Sequence, residues 1–271
     1  MKIENNCLLE GIISVKACIE GKSRCIEQVY VDLDKRKKRD RKILGFLSYL
    51  KEKEIPVILA PRSEIDALVK EHTRENAGSS HGGVVAFAGK RSYLTTEELL
   101  SNAKAGDYFV YLDGIEDPYN LGYCIRTLYA MGASGFILSD RDWESCSGVI
   151  SRSSAGASEL CKIALADKDD EYTAQTIKKY GVDIVCSALS AESVPLYSFN
   201  PEKPFVLFIG GEKRGISKPF MENAARVVHI PYARENVRYS LTAASVCAMY
   251  ASHLYGYANK ENASVDICSD M

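Results

Sequence analysis

Apolar positions along residues 1–92 change their period several times, and each change marks an element boundary. Residues 8–18 read as a helix, or a strand running into one, opening at Glu10-Gly11. Residues 26–31 alternate and are rich in β-formers, which predicts a strand. Ile43, Leu44, Leu47 and Leu50 then recur at helical spacing. Residues 55–59 form a short strand pattern. Ser63 is a candidate N-cap for a helix through Ile65, Leu68 and Val69. Residues 71–80 are polar and loop-like. His81-Gly82-Gly83-Val84-Val85-Ala86-Phe87 ends in another strand.

A short connecting stretch follows. Thr95 precedes Glu98 by three, the spacing of a capping box, and Gly106 is a candidate helix stop. From 107 onward, short apolar, β-branched runs alternate with helical ones. Strands are predicted at 108–112, 135–138, 182–188, 205–209 and 226–230, and helices at 121–131, 172–180 and 241–257. Residues 191–204, with three prolines, read as a connection. This alternation predicts an α/β protein with a buried parallel sheet covered by helices on both faces. The domain reading is 1–92, a joining helix over 93–106, a second domain over 107–257, and a flexible polar tail over 258–271.

Charge modifies this picture. The net charge is −2, yet residues 1–95 carry 18 Lys+Arg against 13 Asp+Glu, and residues 96–271 carry 16 against 23. A polyanion would be gripped by the first part. Its basic residues concentrate in Lys35, Arg36, Lys37, Lys38, Arg39, Arg41 and Lys42, broken only by Asp40. Two readings of this run stay open: a solvated helix start, or a set of phosphate contacts that makes binding salt-dependent. No aromatic residues interleave with it, so stacking of single-stranded bases is not indicated there. Nine cysteines without a Cys-x-x-Cys pair, and only four histidines, favour free thiols in a reducing compartment over disulfides or a metal site. No run of about 18 apolar residues is present, so no membrane span is expected. The first residues lack the apolar core of a signal peptide, and a cytoplasmic location is expected.

Three segments could carry chemistry. In the first, Asp117-Pro118 precedes Asn120, a candidate cap for the helix from Leu121, whose apolar stripe is Leu121, Ile125, Leu128 and Gly132. Arg126 sits beside that stripe and is expected near the helix start, at the carboxyl edge of strand 108–112, where open α/β sheets bind ligands. In the second, the buried run 205–209 enters Gly210-Gly211-Glu212-Lys213-Arg214-Gly215, a turn matching neither Gly-x-Gly-x-x-Gly nor a phosphate loop. In the third, Val228-His229-Ile230-Pro231 leads to Ser240-Leu241-Thr242, with Ser240 a candidate N-cap for the long last helix. Taken singly, each segment also has an ordinary structural explanation: a cap, a strand-end turn, a packing helix.

Together the three resemble the motifs of the TrmH/SpoU family of RNA ribose methyltransferases, within the SPOUT superfamily. The matching residues are Asp117-Pro118-x-Asn120-x-Gly122-x-x-x-Arg126-Thr127, then Gly210-x-Glu212-x-x-Gly215, then Ile230-Pro231 with Ser240-Leu241. Arg152-Ser153-Ser154-Ala155-Gly156-Ala157 and His81-Gly82-Gly83-Val84 resemble two further family segments. The resemblance implies an L30e-like α/β RNA-binding domain followed by a SPOUT α/β domain with a deep trefoil knot. It implies a homodimer through the carboxyl-terminal domain and S-adenosylmethionine as methyl donor, held near Gly210, Ile230, Ser240 and Leu241. Arg126 with Asn120 and Glu212 would serve the reaction on a ribose 2′-hydroxyl, in ribosomal RNA by preference. A transfer RNA target, or an RNA-binding protein with weakened or lost methyl transfer, are the alternatives. The chain departs from the pattern at Thr242, where the family has Asn, and in a longer segment between Pro231 and Ser240 without its usual glycine.

Overall fold

The predicted alternation of strands and helices is realised in a computed structural model, which describes residues 7–72, 81–167, 169–211, 215–233 and 242–258. In chain order the elements begin β1 (Cys7–Glu10), α1 (Gly11–Gly21), β2 (Ile26–Asp32), α2 (Leu33–Lys37), α3 (Arg41–Glu52), β3 (Val57–Ala60), α4 (Arg62–His72) and β4 (Val84–Ala88). Next come α5 (Thr96–Leu100), β5 (Tyr108–Leu112), α6 (Pro118–Ala130), β6 (Gly135–Leu138), α7 (Ser147–Ser153), α8 (Ala157–Leu160) and β7 (Ile163–Leu165). The remainder is α9 (Asp170–Lys179), β8 (Asp183–Ser187), β9 (Val194–Pro195), β10 (Phe205–Ile209), α10 (Lys218–Glu222), β11 (Arg226–His229) and α11 (Ala243–Ala258).

The chain divides into two compact units. The first comprises residues 1–92 together with 142–160, a segment that lies inside the stretch expected as one carboxyl-terminal domain. Its four-stranded mixed sheet runs β1-β4-β2-β3. One face packs on α1 and α3 through Val15, Cys18, Ile43, Phe46 and Leu50. The other packs on α4 through Ile65 and Val69. The basic run is not one helix start. α2 ends at Lys37, Arg39 takes a φ of +56°, and Asp40 restarts the helix by accepting from the Ile43 N–H at 3.1 Å. Ser63 does not cap α4, because that helix already begins at Arg62 and the Pro61 carbonyl accepts the first-turn amides of Glu64 and Ile65.

Residues 142–160 are tied into this unit by buried charge. Arg24, with its side chain 1% exposed, binds Glu144 at 2.7 Å and Glu159 at 3.3 Å. Ser23 donates to Glu159 at 2.5 Å and Arg91 joins the same carboxylate at 3.3 Å. Backbone closeness reinforces the tie, since a Cβ on Gly21 would strike the Glu159 carbonyl and one on Gly148 the Leu8 carbonyl. No pattern of apolar periodicity announces this contact, because its energy lies in a few polar groups distant in sequence.

The second unit holds a seven-stranded sheet, β7-β6-β5-β10-β8-β11-β9, with every pairing parallel. β5 and β10 are buried at every position, as expected of strands covered on both faces. On one side Tyr111 stacks on Phe208 with centroids 4.7 Å apart, over α5, α9 and α10. On the other, the Tyr108 hydroxyl donates to the Leu128 carbonyl of α6, and Phe205 meets Tyr257 of α11. The joining stretch belongs to this sheet: Leu94 bridges to Ala164, and Thr95 and Glu98 form the predicted capping box. α5 stops at Leu100, so Gly106, at φ +92°, shapes the turn into β5 and not the helix end. β7 and β9 escape sequence detection, being three and two residues long. No helix among the described residues is long and apolar enough to cross a membrane.

Replacing Glu159 with Ala is expected to destabilise the protein by about 1–3 kcal/mol, since Arg24 keeps Glu144 but Ser23 and Arg91 lose their buried acceptor. Urea unfolding at neutral pH checks this; an unchanged midpoint would reject the tie.

Candidate active site

Parallel register sets the site's location. Leu112 pairs with Ile209, so β5 and β10 end side by side, and the Asp113 N–H donates to the Ile209 carbonyl at 3.0 Å. The two chains then come together backbone to backbone. A Cβ on Gly211 would collide with the Gly114 carbonyl oxygen, and Gly114 itself adopts φ +67°. A Cβ on Gly210 would lie 2.8 Å from the Gly215 carbonyl carbon. Glycine is required at 211 by this close approach, and favoured at 114 by its left-handed conformation.

A cleft of about 170 Å³ opens at this edge, lined by Gly114, Glu116, Asp117, Asn120, Gly211 and Ala243 among others. Its α6 wall is built by capping. Asp117, not Asn120, is the N-cap, accepting from the Tyr119 N–H at 2.9 Å, with Pro118 in the first helical position. Asn120 therefore lies within the first turn, and its amide is released from capping to line the cleft. The opposite wall begins at Ala243, where Thr242 caps α11: its hydroxyl accepts from the Ser245 N–H at 3.3 Å and its carbonyl from Val246 at 3.0 Å. Thr242 thus takes the capping role expected of Ser240. Tyr250 anchors α11 to the sheet by donating to the Val228 carbonyl at 2.8 Å, and burial pushes its hydroxyl up to about 12, so it stays a neutral donor.

The expected site residues separate into three groups. Asn120 and Gly210 lie at or beside the cleft. Ile230 follows β11, half-buried, at the same edge of the sheet, two strands away from Gly210 and so about 10 Å along it. Arg126 is elsewhere. It is exposed and occupies the ninth of thirteen positions in α6, not the helix start, about 240° around the helix from Asn120. It shares its outward side with Tyr123, 47% exposed. Leu121, Ile125 and Leu128 form the buried stripe as predicted, while Gly132 falls past the helix end at φ +98°. Glu212, Ser240 and Leu241 lie outside the described residues. Gly114 and Gly211 are absent from the expected set; the signal for them is a glycine within two residues of the end of a five-residue buried strand. His229 is half-buried and hydrogen-bonds Ser193 at 2.9 Å. All eight described cysteines are free, and among the described residues no His, Cys, Asp and Glu group is placed to hold a metal ion.

Two family models match the chain. Residues 107–250 match the model of the SpoU rRNA Methylase family, and residues 8–94 match the model described as RNA 2′-O ribose methyltransferase substrate binding. A 23S rRNA (guanosine-2′-O-)-methyltransferase RlmB from Pseudomonas putida is 27% identical, covering 82% of this chain and 86% of its own. The RlmB of Ralstonia nicotianae is 28% identical, covering 90% and 94%. Among solved structures, an rRNA methyltransferase from Sinorhizobium meliloti has the same fold, with TM-score 0.72 over 96% of this chain and 89% of that one at 23% identity. A structure of an AdoMet-bound rRNA methyltransferase from Sinorhizobium meliloti has TM-score 0.70 to this chain at 23% identity, covering 96% of this chain and 89% of that one.

Replacing Gly211 with Ala should cost about 1–3 kcal/mol, because the added methyl must push the two loops apart. Chemical denaturation measures it, and wild-type stability in the variant would contradict the close approach.

Proposed function

The chain belongs to the SpoU rRNA methylase family, and from that membership we propose that it methylates a ribose 2′-hydroxyl of ribosomal RNA with S-adenosylmethionine as donor. The supporting observation is the bare glycine backbone at the carboxyl edge of β5 and β10, where the 170 Å³ cleft would take one part of the donor. Bare backbone suits a ligand that carries an adenine ring and an amino-acid chain, since main-chain N–H and C=O groups approach it without intervening side chains. Backbone groups at Gly210, Ile230, Ser240 and Leu241 would hold the donor. When bound, S-adenosylmethionine supplies an electrophilic methyl on a sulfonium whose leaving group is a neutral thioether.

The chain's own residues must manage the proton and the charge. As the 2′-oxygen takes the methyl and the methyl's bond to sulfur breaks, the hydroxyl proton passes to solvent water and the oxygen carries negative charge on the way. Guanidinium groups in proteins keep their protons, so Arg126 stabilises that oxygen and orients an RNA phosphate instead of acting as the base. Asn120 and Glu212 position the reacting groups.

Asn120 and Arg126 lie on different sides of α6, and this favours a homodimer in which a second copy brings its arginine to the cleft. α6 packs along α11, and the two helices expose Tyr123, Tyr129, Met249 and Tyr255, apolar groups available for self-association. The same reading includes a trefoil knot in the carboxyl-terminal part, which the family resemblance implies. It also assigns residues 1–92 to RNA binding, supported by their positive charge, and a cytoplasmic location. A second reading, an RNA-binding protein with weakened methyl transfer, is favoured by Thr242, whose hydroxyl is occupied in capping α11 and which offers no side-chain amide.

Calorimetric titration with S-adenosylmethionine tests the proposal, and no binding at millimolar cofactor rejects it. Arg126→Ala is expected to lower methyl transfer by about a hundredfold or more while cofactor affinity stays within about twofold; full activity in the variant removes the assigned role. Sedimentation equilibrium should return twice the 29.9 kDa chain mass, and Met249→Arg should shift it toward one chain. A wild-type monomer contradicts the dimer.

A further inference from the structure

We propose that a cavity between α1 and α3 of the amino-terminal unit seats one unpaired nucleotide of the RNA. This rests on the RNA reading above and adds to it a defined seat for a base and its phosphate. The cavity measures about 780 Å³, within the range of about 300–1,000 Å³ typical of small-ligand sites. Gly11 to Ser14 at the start of α1 border it, as does half-buried Tyr49 of α3, with edges of the almost fully buried Ile43 and Phe46.

Charge selects the occupant. Five cationic side chains border the cavity, Lys16, Lys35, Arg41, Lys42 and Arg152, against two carboxylates, Glu10 and Asp40. Both carboxylates are already engaged within the protein. Glu10, its side chain 4% exposed, binds Arg152 at 2.9 Å, and Asp40 caps α3. The cations keep donors to spare. Lys35 donates to the Gly82 carbonyl at 2.7 Å, and Lys16 stands 4.9 Å from the centre of the Tyr49 ring. Arg41 and Lys42 are exposed and make no ion pair with a described residue. An anion alone would not call for the apolar wall, and an apolar ligand would not call for the cations. A nucleotide uses both, its phosphate on the rim and its ring against α3.

Strand geometry selects the unpaired form. A duplex keeps its bases stacked inside and presents a convex backbone, which does not enter a concave site. An extruded nucleotide does. The fold also supplies what the basic run lacks in sequence: Tyr49, several residues downstream, borders the same cavity as Lys35, Arg41 and Lys42. The other four cations of the run, Arg36, Lys37, Lys38 and Arg39, are exposed and do not border it. They are available to the phosphates flanking the seated nucleotide.

Gly45 gives a test that leaves charge untouched. It borders the cavity, and a Cβ built on it meets nothing within 4 Å. Gly45→Leu therefore plugs the space, and it raises helix propensity in α3, so misfolding is not a confounding outcome. The probes are a short RNA hairpin with one unpaired 2-aminopurine and a fully paired RNA duplex. In the full-length protein, wild type is expected to quench the 2-aminopurine. Gly45→Leu should bind that hairpin about tenfold more weakly, without quenching, and bind the duplex as wild type does. The Arg41→Ala/Lys42→Ala variant should flatten the salt dependence of hairpin binding. Wild-type affinity and quenching in Gly45→Leu overturn the assignment while leaving RNA binding itself intact. Absence of salt-dependent affinity for either RNA in the wild-type chain removes the RNA reading, and the assignment with it.

Discussion

Two main chains meet without side chains between them where β5 and β10 end, and the candidate site depends on that meeting. Register brings Leu112 beside Ile209, and Gly211 then lies against the Gly114 carbonyl. Everything lining the cleft is referenced to this contact. The loop after β5 must turn at Gly114 before Asp117 caps α6, and that cap decides which α6 residues face the cleft. A single methyl at 211 would shift both loops, because buried parallel strands behind them have no freedom to compensate.

The amino-terminal unit is held by a different kind of interaction. Its sheet has two apolar faces, but residues 142–160 join it through Arg24, Arg91, Glu144 and Glu159. Buried ion groups of this kind add little net stability over apolar packing, yet their geometry tolerates few alternatives. Such a tie suits a segment that must return to one position after a long excursion of the chain. It also brings Arg152 to the cavity above α1, where Glu10 fixes it.

The two units differ in how they present charge and backbone. The first concentrates cations around a concavity with an aromatic wall. The second offers a cleft walled by glycine, one amide and two carboxylates, with Asp117 committed to a helix cap. A polyanionic substrate and a cofactor bound by backbone contacts ask for these two surfaces respectively.

Local pattern was enough to determine the elements: strands 108–112, 135–138 and 205–209 and the Thr95–Glu98 capping box stand where the sequence predicts them, because apolar periodicity and caps act over a few residues. The motif order likewise pointed to the family. What the sequence left undecided is partly local, and otherwise depends on groups far apart in the chain. Which residue caps α6 turned on Pro118 occupying the first helical position, so Asp117 displaced Asn120. The side of α6 that Arg126 occupies followed from that start, by helical rotation. The Gly114–Gly211 contact, the recruitment of residues 142–160 by Arg24, and the convergence of Lys35, Arg41 and Phe46 on one cavity required the tertiary structure. Each joins positions whose proximity is set by strand order and packing, and nothing in the neighbouring sequence of either partner encodes the other.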